Sequence, residues 1–248
     1  MLFDIENYNE RVKSAMDFDK KYGLAKKFCG YDLKLKKIKD SLFSYESLHE
    51  FGIIHITADV FLLLPNSTVI VQKRSHSVDI PNTYGPSAGG HCEFDQSPKE
   101  TAIIELTEEL GLTISSDRLQ NIFCNEKPIK NYFFRKQLCS NESTNIIQKF
   151  APKSQWYSNK GIPIVNRVNV APRNETKSHF FNQELAYFYF AFIDYKEQRE
   201  IGFTENEIDS IEMLDIASFR SLINELKYSS DSLFLMSEYK ICDLLQYV

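Results

Sequence analysis

The residues from Gly89 to Leu112, GGHCEFDQSPKETAIIELTEELGL, constrain this chain more than any other stretch. Ser97-Pro98-Lys99-Glu100 places serine at a helix N-cap, proline at the first helical position and glutamate at the third. That is a capping box with a proline start. Gly111 offers a left-handed stop. Between the two signals the sequence predicts one short helix. At about 100° per residue, with Glu105 as zero, Glu108 falls near about −60° and Glu109 near about +40°, so three carboxylates share a face. Ile103, Leu106 and Leu110 form a separate apolar stripe that can face a core. Like charges this close repel by about a few tenths of a kcal/mol per pair. A solvated acidic face tolerates that. Hard oxygen ligands gathered on one face suit a divalent cation better, Mg²⁺ or Mn²⁺.

A chain of 248 residues allows one large domain or a domain with additions. The net charge of −5 argues against a generally basic surface and gives no global reason to expect nucleic acid. Five cysteines occur without a C-x-x-C pair, which points to reduced thiols rather than zinc or a dithiol redox site. Cys92 reads as a small semi-buried residue. Residues Met1 to Glu6 lack a basic start followed by an apolar run, and no apolar run approaches a membrane span. The expectation is a cytoplasmic protein with no membrane partner.

Residues 1–50 read as a polar, helical extension, with helices over Asp4–Met16 and Leu33–Phe51 and breaks at Gly23 and Gly30. Ile53–Leu64 and Thr68–Lys73 read as a hairpin around Pro65-Asn66-Ser67. Arg74 follows, suited either to a substrate phosphate or to a surface salt bridge. Residues 77–87 form a loop that includes Tyr84. Residues 125–179 hold ten Lys or Arg against three Glu, with Tyr132, Phe133, Phe134, Trp156 and Tyr157 interleaved. Such an insertion can grip a polyphosphate and stack a base, or it can simply be solvated. Gln183–Asp194 is an aromatic-rich strand, Ile211–Leu214 a short one, and Ala217–Tyr228 and Leu233–Tyr247 close the chain as helices.

The acidic stretch resembles the Nudix box, G-x5-E-x7-R-E-U-x-E-E-x-G-U with U apolar. From Gly90 the match takes in Glu105, Leu106, Glu108, Glu109, Gly111 and Leu112. Gln96 and Ile104 stand where the pattern has a glutamate and an arginine, a pair that braces the loop against the helix in the family. Pro81-Asn82-Thr83-Tyr84 followed by Ser87-Ala88-Gly89-Gly90-His91 resembles the branch containing isopentenyl-diphosphate isomerases and their hydrolase relatives. The resemblance implies an α/β/α sandwich with a mixed β-sheet over residues 51–248, decorated by the N-terminal helices and the basic insertion. It implies Mg²⁺ or Mn²⁺ held by Glu105, Glu108, Glu109 and Glu184, and catalysis involving Glu105, Glu108 and Glu207. Arg74 and Tyr84 would contact substrate. The implied activity is hydrolysis of a diphosphate linkage in a nucleoside diphosphate-X or related organic diphosphate, with capped RNA among the molecules that carry one. A homodimer is common in the family.

Two alternatives stand beside it. One is a Nudix-fold binding or regulatory module without turnover. The other is an isomerase. Isomerases carry a catalytic cysteine two residues before the Gly-His pair, where this chain has Ala88. Of their two acids before the long strand, Asn182-Gln183-Glu184 retains only the second.

Overall fold

One strand organises the molecule. In the computed structural model, which describes residues 7–32, 36–66, 68–78, 83–121, 162–164, 184–203 and 206–224, β3 (His55–Leu64) is central. It pairs antiparallel with β4 (Thr68–Arg74) and β6 (Ala88–His91), and parallel with β9 (Glu184–Phe192). The hairpin, the long strand and the mixed sheet are therefore as the sequence predicts. The other strands are β5 (Tyr84–Gly85), β7 (Gln120–Asn121), β8 (Ile162–Ile164) and β10 (Ile208–Leu214). The spatial order is β10-β4-β3-β9-β7, with β5 on β4, β6 on β3 and β8 on β9.

Side chains alternate across a strand, so β3 serves two layers. Ala58, Val60, Leu62 and Leu64 join Ala102, Leu106 and Leu110 of α3 (Pro98–Leu110) in the main core. Burying each leucine contributes about 1.5–3 kcal/mol. His55, Thr57, Asp59 and Phe61 occupy the opposite face, where Phe61 meets Phe219 of the closing helix, here labelled α5 (Ile216–Asn224). A short helix α4 (Tyr195–Glu200), which the sequence reading lacks, follows β9 and is capped by Asp194 and Glu197.

Helix α3 begins and ends as the sequence requires. The Ser97 side chain accepts from the Glu100 amide, and the Glu100 carboxylate accepts from the Ser97 amide. Gly111 adopts φ 65°, the left-handed region, and closes the helix.

The first fifty residues depart from a helical reading. Helix α1 (Tyr8–Tyr22) ends at Gly23, but β1 (Phe28–Tyr31) and β2 (Lys37–Phe43) form an antiparallel hairpin before α2 (Tyr45–Phe51). The apolar residues at Ile38, Leu42 and Phe43 satisfy helical spacing as well as a strand, and tertiary packing decides. Gly30 makes that packing possible: a Cβ there would stand 2.5 Å from the Phe43 ring and 2.8 Å from Ile53. Ala15, Phe28, Phe43, Leu48 and Ile53 make a second small core. The Tyr8 hydroxyl stitches it to the sheet, donating to the Tyr31 carbonyl at 2.6 Å and accepting from the Ile54 amide at 3.0 Å. The basic insertion apart from β8, and the helix read at Leu233–Tyr247, lie outside the described residues. No helix among the described residues is long and apolar enough to cross a membrane.

Candidate metal and active site

The acids of α3 lie under the glycine strand. A Cβ at Gly90 would collide with the Glu105 carboxylate, so only glycine lets that acid approach β6 from the core side. Glu109 Oε2 accepts from the Gly89 amide at 3.2 Å and from the Gln72 side-chain amide at 3.3 Å. Glu108 is exposed at the rim. Burial pushes the Glu105 carboxyl up to about 7, and the charge of Glu108 adds to it. Burial, then Glu105, holds the Glu109 carboxyl well above the usual carboxylate range, against the opposing pull of the Gly89 amide. Glu207, exposed on the turn before β10, is near enough for its charge to act on both. Acids pressed together in this way are short of positive charge, and a bound cation would reverse the shifts. The donor set is all oxygen and fits Mg²⁺ or Mn²⁺.

A second constellation stands on the other face of the sheet. His91 is in register with Thr57, so its side chain shares the face of Thr57 and His55. His49 reaches the same point from α2. The rings of His55 and His91 stack at 4.9 Å, and His49 stands edge-on to both at 5.1 and 5.2 Å. His49 Nε2 and His91 Nε2 are 3.2 Å apart. One ligand nitrogen from each imidazole lies within 4.8 Å of the others. The Ile53 carbonyl can only accept, so His55 Nδ1 donates to it at 2.8 Å. His55 Nε2 is then a lone pair, and it is buried with no hydrogen-bond partner. Burial pushes the His55 imidazolium down to about 4 and His91 well below the ordinary range, the latter helped by His55 and His49. Burial therefore favours neutral His55 and His91, the form that binds metal, and leaves the His55 Nε2 lone pair available. Tyr45 and Phe28 pack against the His91 ring.

The structure sorts the sequence-predicted residues between these two places. Glu105, Glu109 and Glu207 come together, with Glu108 beside Glu105. Arg74 joins them, since its charge acts on both Glu109 and His91. Glu184 does not join the helix acids. It begins β9 opposite His55, accepts from the Thr57 hydroxyl at 3.4 Å, and places Oε1 4.0 Å from His91 Nε2. The sequence expectation grouped Glu184 with the helix acids; β9 presents it to the histidine face. Tyr84 uses its hydroxyl on Glu212 of β10 at 2.7 Å, which raises its pKa and ties β5 down. Cys92 is buried with its thiol pushed up to about 12 by that burial, as suits a packing residue.

Sequence reasoning missed His49, His55 and His91 as candidate ligands, and Asp59 altogether. The signal for the histidines was slight: four of the five in the chain fall between positions 49 and 91, and the three that meet lie on three different elements. Asp59 faces Gly89 in register, with its carboxylate where a side chain at 89 would otherwise go.

No protein-family model matches this chain, and no curated protein does. Solved structures do resemble it. DR0079 from Deinococcus radiodurans is 15% identical, with 89% of this chain and 98% of that one covered at a TM-score of 0.47. The NUDIX domain of Shewanella oneidensis NrtR, complexed with ADP ribose, is 12% identical, with 75% and 86% covered at 0.42. A C. elegans Ap4A hydrolase is 11% identical, with 78% and 99% covered at 0.43.

Proposed function

We propose that this protein is a divalent-cation-dependent hydrolase of the Nudix type. Its substrate in this reading is a small organic diphosphate, of which a nucleoside diphosphate-X is the leading class. The observation that carries the reading is the packing of Glu105 and Glu109 beneath Gly89-Gly90, both held above the usual carboxylate range, with the charge of Arg74 close by.

Glu105 and Glu109 would hold Mg²⁺ or Mn²⁺, with Glu108 at the rim, and that ion supplies charge neutralisation and an activated water when bound. The rest falls to the chain. The guanidinium of Arg74 matches a phosphate bidentately. Gly90 and Gly89 let the carboxylates of Glu105 and Asp59 approach the backbone without steric conflict. Glu207 lies at the open side of the acid cluster, placed to accept a proton from the attacking water. Residues 125–179 are the segment whose composition suits the remainder of the substrate. His49, His55 and His91, with Glu184 beside them, would hold a second ion, and imidazoles favour a transition metal over Mg²⁺. For isomerisation, Ala88 stands where the thiol donor is expected, and Cys92 lies beyond His91 and is buried.

The test is a panel of diphosphates incubated with purified protein in Mg²⁺ or Mn²⁺, with product masses recorded. We expect cleavage at the diphosphate, abolished by chelator and lowered roughly a hundredfold or more by Glu109→Gln and by Glu108→Gln. Bound Mn²⁺ with no turnover on any class would overturn the hydrolase in favour of a binding module. A rearranged product without cleavage would favour the isomerase.

A further inference from the structure

The loop from His91 to α3 lacks both members of the ion pair that braces it in the Nudix pattern, having Gln96 and Ile104 instead. A different brace is present. The side-chain oxygen of Gln96 accepts from the Thr101 hydroxyl at 2.8 Å and from the Glu93 amide at 3.4 Å. The Gln96 amide closes the turn by donating to the Glu93 carbonyl at 3.1 Å. Thr101 is fully buried, and it also hydrogen-bonds the Cys92 thiol. Its place in the chain gives these bonds leverage. Thr101 lies four residues before Glu105, one helical turn away on the same side of α3. Glu93 lies two residues after His91 at the end of β6. One neutral oxygen therefore ties the loop leaving the glycine strand to the helix that carries the acids. Glu105 already occupies the space that a side chain at Gly90 would need, so a small slip of loop against helix moves the carboxylate relative to its backbone ceiling.

We propose that Gln96 and Thr101 are positioning residues for the cation site formed by Glu105 and Glu109. They hold the box loop against α3 with uncharged partners, where the Nudix pattern uses an ion pair. The proposal rests on the reading of those two acids as cation ligands. An uncharged brace brings no charge out of water and adds no field of its own beside the acids. With Gln96 satisfied by Thr101, position 104 is free to be isoleucine.

The test uses the full chain with one equivalent of Zn²⁺ added first to fill the histidine centre. Mn²⁺ is then titrated, and free Mn²⁺ is followed by its electron paramagnetic resonance signal. Thr101→Val removes the hydroxyl at nearly constant shape, and Gln96→Leu removes the acceptor. Each is expected to raise the Mn²⁺ Kd about tenfold, within the roughly 10–100-fold effect of groups that orient metal ligands. Thermal midpoints should stay near that of the unsubstituted protein. Thr101→Ser and Gln96→Glu, which keep a hydroxyl and an acceptor oxygen, are expected to restore binding. Unchanged Mn²⁺ affinity in both Thr101→Val and Gln96→Leu overturns the proposal, as does Thr101→Ser binding no better than Thr101→Val. Absence of Mn²⁺ binding in the unsubstituted protein is a distinct result. It overturns the reading of Glu105 and Glu109 themselves, and the brace with it.

Discussion

The two faces of one short strand present opposite chemistries. Toward α3, Gly90 leaves room for Glu105, and the Gly89 amide holds Glu109; toward α2, His91 meets His55 and His49. Glu105 and Glu109 are raised by their burial first and by neighbouring carboxylates second. The His55 and His91 imidazoles are lowered because burial keeps them neutral. Both conditions are relieved by a cation, but by different cations: hard for the carboxylates, borderline for the nitrogens. The difference can be broken most sharply by His55→Ala. That change removes the one lone pair with no other partner, and we expect it to take Co²⁺ binding at the imidazole centre from one equivalent to none, read from the visible spectrum. Glu109→Gln should leave that spectrum intact while removing Mn²⁺ from the acid side. Loss of both ions in either variant would mean a single shared centre and would end the comparison.

Their unequal legibility has the same origin. The acid cluster is written locally: Glu105, Glu108 and Glu109 sit at helical spacing between a capping box and a glycine stop. Any helix there must bring them together. The sheet around it was equally legible, because β3, β4 and β9 are long apolar runs bounded by turn residues. The imidazole centre is written in tertiary contacts. His49 depends on α2 docking, which depends on the β1–β2 hairpin, and Ile38, Leu42 and Phe43 carry spacing that suits a helix as well. A reading that makes residues 1–50 an optional extension therefore loses one imidazole of the cluster. The placement of Glu184 beside the imidazoles was not legible, because which face of β9 it occupies depends on the parallel register with β3.

In the cation-free protein the two clusters should move stability in opposite directions with pH. Glu105 titrates near 7 when folded against 4.5 as its ordinary value. Between those values the folded state binds the extra proton, so this acid's contribution falls as pH rises from 4.5 to 7. His55 titrates near 4 when folded against 6.5. Between those values the unfolded state binds the extra proton, so its contribution rises from pH 4 to 6.5. Denaturant unfolding in chelator separates the two. Glu105→Gln should remove the falling limb and make the protein more stable at pH 7 than the unsubstituted chain, by on the order of a few kcal/mol. Saturating Mn²⁺ should do the same to the unsubstituted protein. A Glu105→Gln variant less stable at pH 7 would show that the acid is already compensated.

The smallest effect tests whether the caps of the two helices matter to different centres. Ser97 caps α3 and Ser44 caps α2, each accepting from an amide three residues on. Replacing either by alanine should lower unfolding stability by about 1 kcal/mol. Equal losses in stability should conceal unequal losses in binding. Ser44 also donates its own amide to the buried Asp19 carboxylate, which accepts from the Ser47 hydroxyl as well, so the start of α2 is fixed to α1. His49 follows two residues after Ser47 on a helix of only seven residues, so its direction depends on how α2 starts. Ser44→Ala should therefore weaken Co²⁺ binding several-fold and leave Mn²⁺ binding unchanged. In α3 the acids lie in the second and third turns, beyond the reach of fraying at Ser97 and anchored by Leu106 and Leu110. Ser97→Ala should accordingly change neither ion. If Ser97→Ala weakens Mn²⁺ binding as well, the acids depend on their helix start as much as the histidines do, and local spacing alone does not account for their placement.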